Sequence, residues 1–193
     1  AQREFPHAVT FDGTYFYITG PAGPFDVDQA PMVYQYDSNG DYTGFSGDLS
    51  LSVTGIYPAG LYFDGTNFYV ADAGNQKIYR YNTLWIRDSG FEINLAPQLG
   101  DPQFEGMAVS GVYFDGTNFY VLGENGLYDD LDAVYKYDIN GVYTGNSFVV
   151  GGQDTKPSDI ASDGTNFYII GTNSGRIYEY DQFGAYSGVN FYV

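Results

Sequence analysis

The groups in this chain best equipped for chemistry are carboxylates, and two short stretches concentrate them. Asp26 and Asp28 lie beside Phe25 between Gly20 and Asp28, and Asp129, Asp130 and Asp132 lie beside Tyr128 between Glu124 and Asp132. Clustered oxygens suit a hard cation such as calcium, so Asp26, Asp28, Asp129, Asp130 and Asp132 are the candidate metal ligands. Asp129-Asp130-x-Asp132 lacks the ordered spacing and terminal Glu of an EF-hand loop, and a solvated acidic surface is the competing reading. The chain has one histidine, His7, and no cysteine. A thiolate nucleophile, a Cys-based metal site, a disulfide framework and a His-rich metal centre are therefore excluded. Any Ser-His-Asp arrangement must use His7, and no nucleophile-elbow motif is present. Asp159 joins His7 and the two acidic stretches as a candidate ligand-binding residue.

What positions these groups is a phrase written four times. Phe11-Asp12-Gly13-Thr14-Tyr15-Phe16-Tyr17 returns around Asp64, Asp115 and Asp163, ending as Ser162-Asp163-Gly164-Thr165-Asn166-Phe167-Tyr168. The repeat of about fifty residues points to stacked or radial architecture. Asp-Gly between short runs of Phe, Tyr, Val and Ile predicts a hairpin, with Gly taking the positive φ of the turn. The Asp of each copy is expected to bond nearby backbone N–H groups, a structural role rather than a catalytic one.

A second phrase follows in every copy: Val33-Tyr34-Gln35-Tyr36, Ile78-Tyr79-Arg80-Tyr81, Val134-Tyr135-Lys136-Tyr137 and Ile177-Tyr178-Glu179-Tyr180. Its strict alternation predicts a strand with tyrosines on one face and a variable polar residue on the other. Packing is the expected role of those tyrosines, ahead of a row of stacking platforms for sugars or bases. No stretch has helical spacing over ten or more residues. Each copy thus reads as four strands, with a Gly turn before the fourth. Four strands in about fifty residues make one blade of a β-propeller.

Pro58-Ala59-Gly60-Leu61-Tyr62-Phe63-Asp64-Gly65, followed by Tyr69-Val70-Ala71-Asp72, Gly74-Asn75 and Lys77-Ile78, resembles an NHL-type propeller repeat. The match is good in this copy and partial in the other three, where Tyr and Phe replace much of the family's Val and Ile. Members of that family usually have more copies. Those that are lyases use His and Glu on the axial face, and this chain cannot supply their His pairs.

The expected fold is therefore all-β, a propeller of four four-stranded antiparallel blades at about 1–52, 53–104, 105–153 and 154–193. A closed four-bladed monomer is favoured, and half of an eight-bladed dimeric ring is the alternative. The copies differ most between the first Asp and the third strand. The interval is long from Asp12 to Val33, short from Asp64 to Ile78, long again from Asp115 to Val134, and short from Asp163 to Ile177. This alternation suggests duplication of a two-blade unit. Both long loops carry the acidic stretches, on the face that also carries the blade-to-blade connections and the start of strand one, near His7 and Asp159.

Charge bounds the partners. Twenty-four acidic residues against seven basic ones give a net charge of −17, which repels nucleic acid and anionic membrane. Abundant Tyr, Gly, Asn, Thr and Asp resemble secreted or virion-surface β proteins. The expected function is non-enzymatic recognition or a structural role, with a glycan, peptide or protein bound on the loop face. Aromatic residues there (Phe25, Tyr57, Phe104 and Tyr128) suit stacking on sugar rings, whereas Trp85 is expected to plug a blade end. The alternative is a metal-assisted hydrolase or lyase using the acidic loops and His7.

Overall fold

Four antiparallel meanders account for almost all of the regular structure. In the computed structural model, residues 6–20, 30–99, 107–125 and 132–193 are described. The first sheet is β1 (Ala8–Phe11), β2 (Phe16–Gly20), β3 (Met32–Tyr36) and β4 (Tyr42–Asp48). The second is β5 (Pro58–Phe63), β6 (Phe68–Asp72), β7 (Lys77–Tyr81) and β8 (Arg87–Asn94). The third is β9 (Met107–Phe114), β10 (Asn118–Asn125), β11 (Ala133–Asp138) and β12 (Tyr143–Val149). The fourth is β13 (Pro157–Ser162), β14 (Asn166–Gly171), β15 (Arg176–Asp181) and β16 (Tyr186–Tyr192). This is the all-β, four-blade propeller class. Among the described residues, helix is limited to a 3-10 turn at Leu49–Leu51 and one α-turn at Ala96–Leu99. The chain divides into two compact units, Ala1–Glu92 and Ile93–Val193, each built around a pair of blades.

The repeated turns explain the repeated phrase. Asp64 Oδ1 accepts the backbone N–H groups of Thr66 and Asn67, both at 2.7 Å, while Oδ2 accepts the Tyr69 hydroxyl at 2.9 Å. Asp12, Asp115 and Asp163 do the same with Tyr17, Tyr120 and Tyr168. Four residues connect the paired Phe63 and Phe68, and Asp64 N–H closes the turn by donating to Asn67 O at 3.1 Å. Phe63 and Phe68 flank it as a cross-strand pair, with ring centroids 4.5 Å apart. The aspartates are thus structural. In Asp12 and Asp115 desolvation raises the carboxyl, but the N–H and hydroxyl donors outweigh it and hold it below the usual range. Gly65 has φ +95° and open space where a Cβ would stand, so only the backbone resists substitution. Gly65→Val should therefore cost about 1–3 kcal/mol in chemical denaturation, and Thr66→Ala much less. Equal costs would contradict this turn.

The second turn uses the same device. Asp37 Oδ1 accepts Asn39 N–H and Asp41 N–H, both at 2.9 Å, and Asp138, Asp181 and Asn82 are its counterparts. Three residues on stand Gly40, Gly141 and Gly184, all with positive φ, and in the second blade Trp85, with φ 60°. The third-strand tyrosines pack, as expected: Tyr81, Tyr137 and Tyr180 are fully buried.

Trp85 exposes how each blade joins its neighbour. In the first unit it is buried, stacks on Phe68 at 4.4 Å and lies 6.1 Å from Tyr81. A Cβ at Gly47, on β4 of the neighbouring blade, would overlap its ring. In the second unit the positions are exchanged. Phe148 of β12 stands where Gly47 stands, and Gly184 stands where Trp85 stands. Phe148 packs at 5.7 Å on Phe167 and 6.0 Å on Tyr180, the counterparts of Phe68 and Tyr81. A Cβ at Gly184 would overlap the Phe148 ring. Both units therefore fill the same joint with one large ring, supplied from opposite sides.

Candidate functional site

The face carrying the connections between blades can be built separately in each unit. In the first, His7 immediately precedes β1, and its backbone N–H donates to Thr19 O at 3.0 Å. His7 Nδ1 lies 3.2 Å from Pro58 O. A carbonyl only accepts, so Nδ1 carries the proton, and Nε2 accepts from the Tyr57 hydroxyl at 3.3 Å. Burial lowers the His7 pKa, and the Pro58 carbonyl opposes that only in part, so the neutral ring is favoured. The two rings lie 4.7 Å apart and tilted by 31°. Tyr57 is 52% exposed, which leaves the pair open to a ligand.

Ser110 holds the position of His7 in the second unit. Its hydroxyl donates to Pro157 O at 3.2 Å, and Pro157 is the counterpart of Pro58. The His7 bond is thus one version of a joint that a serine also makes.

Next to each joint, the loop between the second and third strands packs on the connection from the preceding blade. Ala73 N–H donates to Tyr57 O, and Thr172 N–H to Lys156 O, both at 2.9 Å. A buried carboxylate organises each junction. Asp72 accepts from Tyr57 N–H at 2.7 Å, Gly74 N–H at 2.9 Å and Asn75 Nδ2 at 2.6 Å. Asp154 accepts from Lys156 N–H and Ser174 N–H, both at 2.8 Å. These aspartates do not occupy matching positions. Asp72 ends β6, where the other blade has Gly171; Asp154 lies in the connection, where the other blade has Gly55. A Cβ at Gly171 would collide with the Asp154 carboxyl, so the two positions share one space. Desolvation raises the Asp72 carboxyl and its donors offset this in part. For Asp154 the donors win and the carboxyl is held down. Asp154→Gly should cost about 1–3 kcal/mol, because two N–H groups lose their acceptor. Adding Gly171→Asp should restore most of it. A double variant no more stable than Asp154→Gly in urea titration would refute the shared role.

Asp159 lies in β13 at a register irregularity between Pro157 and Asp159. Its Oδ1 accepts Ile160 N–H at 2.8 Å. The corresponding residues are Ala8, Gly60 and Gly111, so this carboxyl is peculiar to the fourth blade. Gly111 faces it: a Cβ there would come within 2.8 Å of Asp159 Oδ1. Desolvation pushes the carboxyl up to about 7, with the Ile160 N–H opposing.

The remaining expected site residues divide simply. Phe25, Asp26, Asp28, Tyr128, Asp129 and Asp130 lie outside the described residues, as does Phe104. Asp132 is fully buried just before β11, and its backbone carbonyl accepts from Val150 N–H at 2.8 Å. Among the described residues, no group of three or more His, Cys, Asp or Glu side chains gathers where it could hold a metal ion. Sequence reasoning named His7 and Asp159, and Tyr57 among the loop-face aromatics, but did not foresee the His7–Tyr57 contact or single out Ser110, Asp72 and Asp154. Setting the copies side by side on their turn aspartates would have flagged the Asp/Gly exchange.

Solved structures are similar to this chain in fold. The fold is that of β-propellers. Over 92% of this chain and 66% of its own length, glutaminyl cyclase from Myxococcus xanthus superposes with a TM-score of 0.61 at 14% identity. Hydrazine synthase from Kuenenia stuttgartiensis gives 0.58 at 19% identity, over the whole of this chain and 50% of its own. A chain of the nidogen/laminin complex gives 0.53 at 15% identity, over 97% of this chain and 80% of its own. This chain thus spans about half to two thirds of the first two structures. No protein-family model and no curated protein matches the sequence. At these identities the likeness concerns fold alone.

Proposed function

We propose that this protein is a recognition module that binds a glycan, a peptide or a protein segment through the face carrying the second-to-third-strand loops. The observation behind this reading is the His7–Tyr57 pair. A half-exposed tyrosine ring lies against a neutral imidazole whose two nitrogens are engaged by Pro58 O and the Tyr57 hydroxyl. Such a ring presents a flat apolar face with a polar edge, suited to stacking on a sugar or an aromatic side chain. Kinship with NHL-type repeats belongs to the same proposal and rests on the phrase around Asp64.

The test is a glycan and peptide array probed with the parent and with Tyr57→Ala, which truncates an exposed ring and should fold normally. Binding in the parent that drops about tenfold or more in the variant is the expected result. Binding that survives Tyr57→Ala would place recognition elsewhere.

The second reading is an enzyme, and one observation favours it. Burial pushes the Asp159 carboxyl up to about 7, and a carboxyl raised in this way can serve as an acid or a base at neutral pH. A fold likeness to glutaminyl cyclase is compatible with this. Turnover on ester, lactone or glycoside substrates, lost in Asp159→Asn or His7→Ala, would replace the recognition reading.

A further inference from the structure

A pocket of about 350 Å³ opens in the second unit where β10, β11 and β12 meet the turn between β15 and β16. Tyr120 and Phe148 supply aromatic walls, with Phe183, 81% exposed, as a third lining ring. Asn146 and Gln182 contribute amides, and Lys136 contributes an ammonium 5.3 Å from the centre of the Tyr120 ring. Among the described residues that line it, none is a carboxylate. In a chain whose acidic residues outnumber basic ones by 24 to 7, a pocket with a lysine as the one charged group among its described lining residues stands apart.

The first unit provides an internal comparison at the same joint. Gln35 stands where Lys136 stands, and both ends of its amide are engaged. Its Nε2 donates to the Tyr17 hydroxyl at 2.8 Å, and its Oε1 accepts from Thr43 Oγ1 at 2.8 Å. Phe45, the counterpart of Asn146, packs on the hydrophobic core. In the second unit these two positions become a cation and an amide. The changes remove packing and add donors, as binding requires and core stability does not.

We propose that this pocket binds a uronic acid, a pyranose ring carrying a carboxylate. Its volume lies at the low end of small-ligand sites and matches one sugar residue. The C–H face of a pyranose suits the Tyr120 and Phe148 rings. Hydroxyls suit the amides of Asn146 and Gln182, which both donate and accept, and the carboxylate pairs with Lys136. The pocket does not involve Tyr57 or His7, so this site stands or falls separately from the loop face.

The experiment is a titration of the full chain with glucuronate and with glucose, followed through backbone and side-chain amide NMR signals. Two variants import the first unit's residues: Lys136→Gln removes the cation, and Asn146→Phe fills the pocket. Saturable glucuronate binding is expected to move the Asn146 and Gln182 amide signals. Glucose should bind about tenfold more weakly, and Lys136→Gln should erase the difference, given the usual strength of a hydrogen bond to a charged group. Asn146→Phe should abolish both. Melting curves check that the variants fold; Lys136→Gln is a partly exposed change to a residue already used at that position. No saturable glucuronate binding in the parent, or binding that Lys136→Gln leaves unchanged, overturns the proposal. Tyr57→Ala should leave glucuronate binding intact, and a loss there would assign it to the loop face instead.

Discussion

Trp85→Gly is expected to destabilise the folded state by about 2–4 kcal/mol, and the further change Gly47→Phe is expected to recover most of that loss. Deleting a buried Trp side chain ordinarily costs about 3–5 kcal/mol through lost burial and the cavity it leaves. Part is returned here, because Trp85 holds φ 60°, a left-handed conformation that costs a non-glycine residue about 1–3 kcal/mol. Gly47→Phe alone should also fail by about 3 kcal/mol, because its Cβ would overlap the Trp85 ring. Together the two changes reproduce the second unit, where Phe148 fills the joint from one side and Gly184 makes room on the other. A double-mutant cycle in urea should give a favourable coupling of about 5 kcal/mol, since two single costs of about 3 kcal/mol each nearly vanish in the pair. Additive costs would mean that the two joints are not interchangeable.

This exchange also marks where the sequence stops being readable. The turn aspartates, the positive-φ glycines and the alternating tyrosines were legible because each acts within a few residues of itself. Asp64 caps Thr66 and Asn67, and Tyr79 and Tyr81 point inward by the period of a strand. Trp85 was legible as a plug, from its size and its place in a divergent turn. Its partner Gly47 was not, because a glycine gives no signal until the ring that needs its space is located. The same holds for Asp154 with Gly171, where a Cβ would collide with the carboxyl. Each is an ordinary difference between copies until the chain brings both positions to one point. His7 was read as a chemical group because it is the chain's one histidine. Ser110, making the same bond to the following blade, shows that the position first serves the joint. The alternation of long and short loops suggested duplication of a two-blade unit; the joint is filled from opposite sides in the two compact units. The acidic loops carried most of the expected metal ligands, and those residues lie outside the described ones.

Asp159→Asn is expected to stabilise the protein by about 4 kcal/mol above pH 7 and to have little effect below pH 4. Burial raises this carboxyl from 3.8 to about 7 in the folded chain. Below the lower value both states carry the proton, so the charge contributes nothing to the difference between them. Between the two values the unfolded chain releases its proton while the folded chain keeps it. Stability from this group therefore falls as pH rises, by about 1.4 kcal/mol per unit. Above 7 both states are ionised and the loss is complete and constant. Asn keeps the amide oxygen that accepts Ile160 N–H and never ionises, so the variant lacks this slope. Asp12, Asp115 and Asp154 act in the opposite sense. Their carboxyls are held below the ordinary range, so their contribution is present above that range and is lost on acidification. The parent's stability profile mixes both trends, whereas the difference between parent and Asp159→Asn isolates one group. Urea titrations of the two proteins across pH 4 to pH 8 should yield a difference that grows steadily and then levels near pH 7. A difference that is flat with pH would show that Asp159 is ionised and solvated throughout. In that case the second reading would lose the group on which it rests.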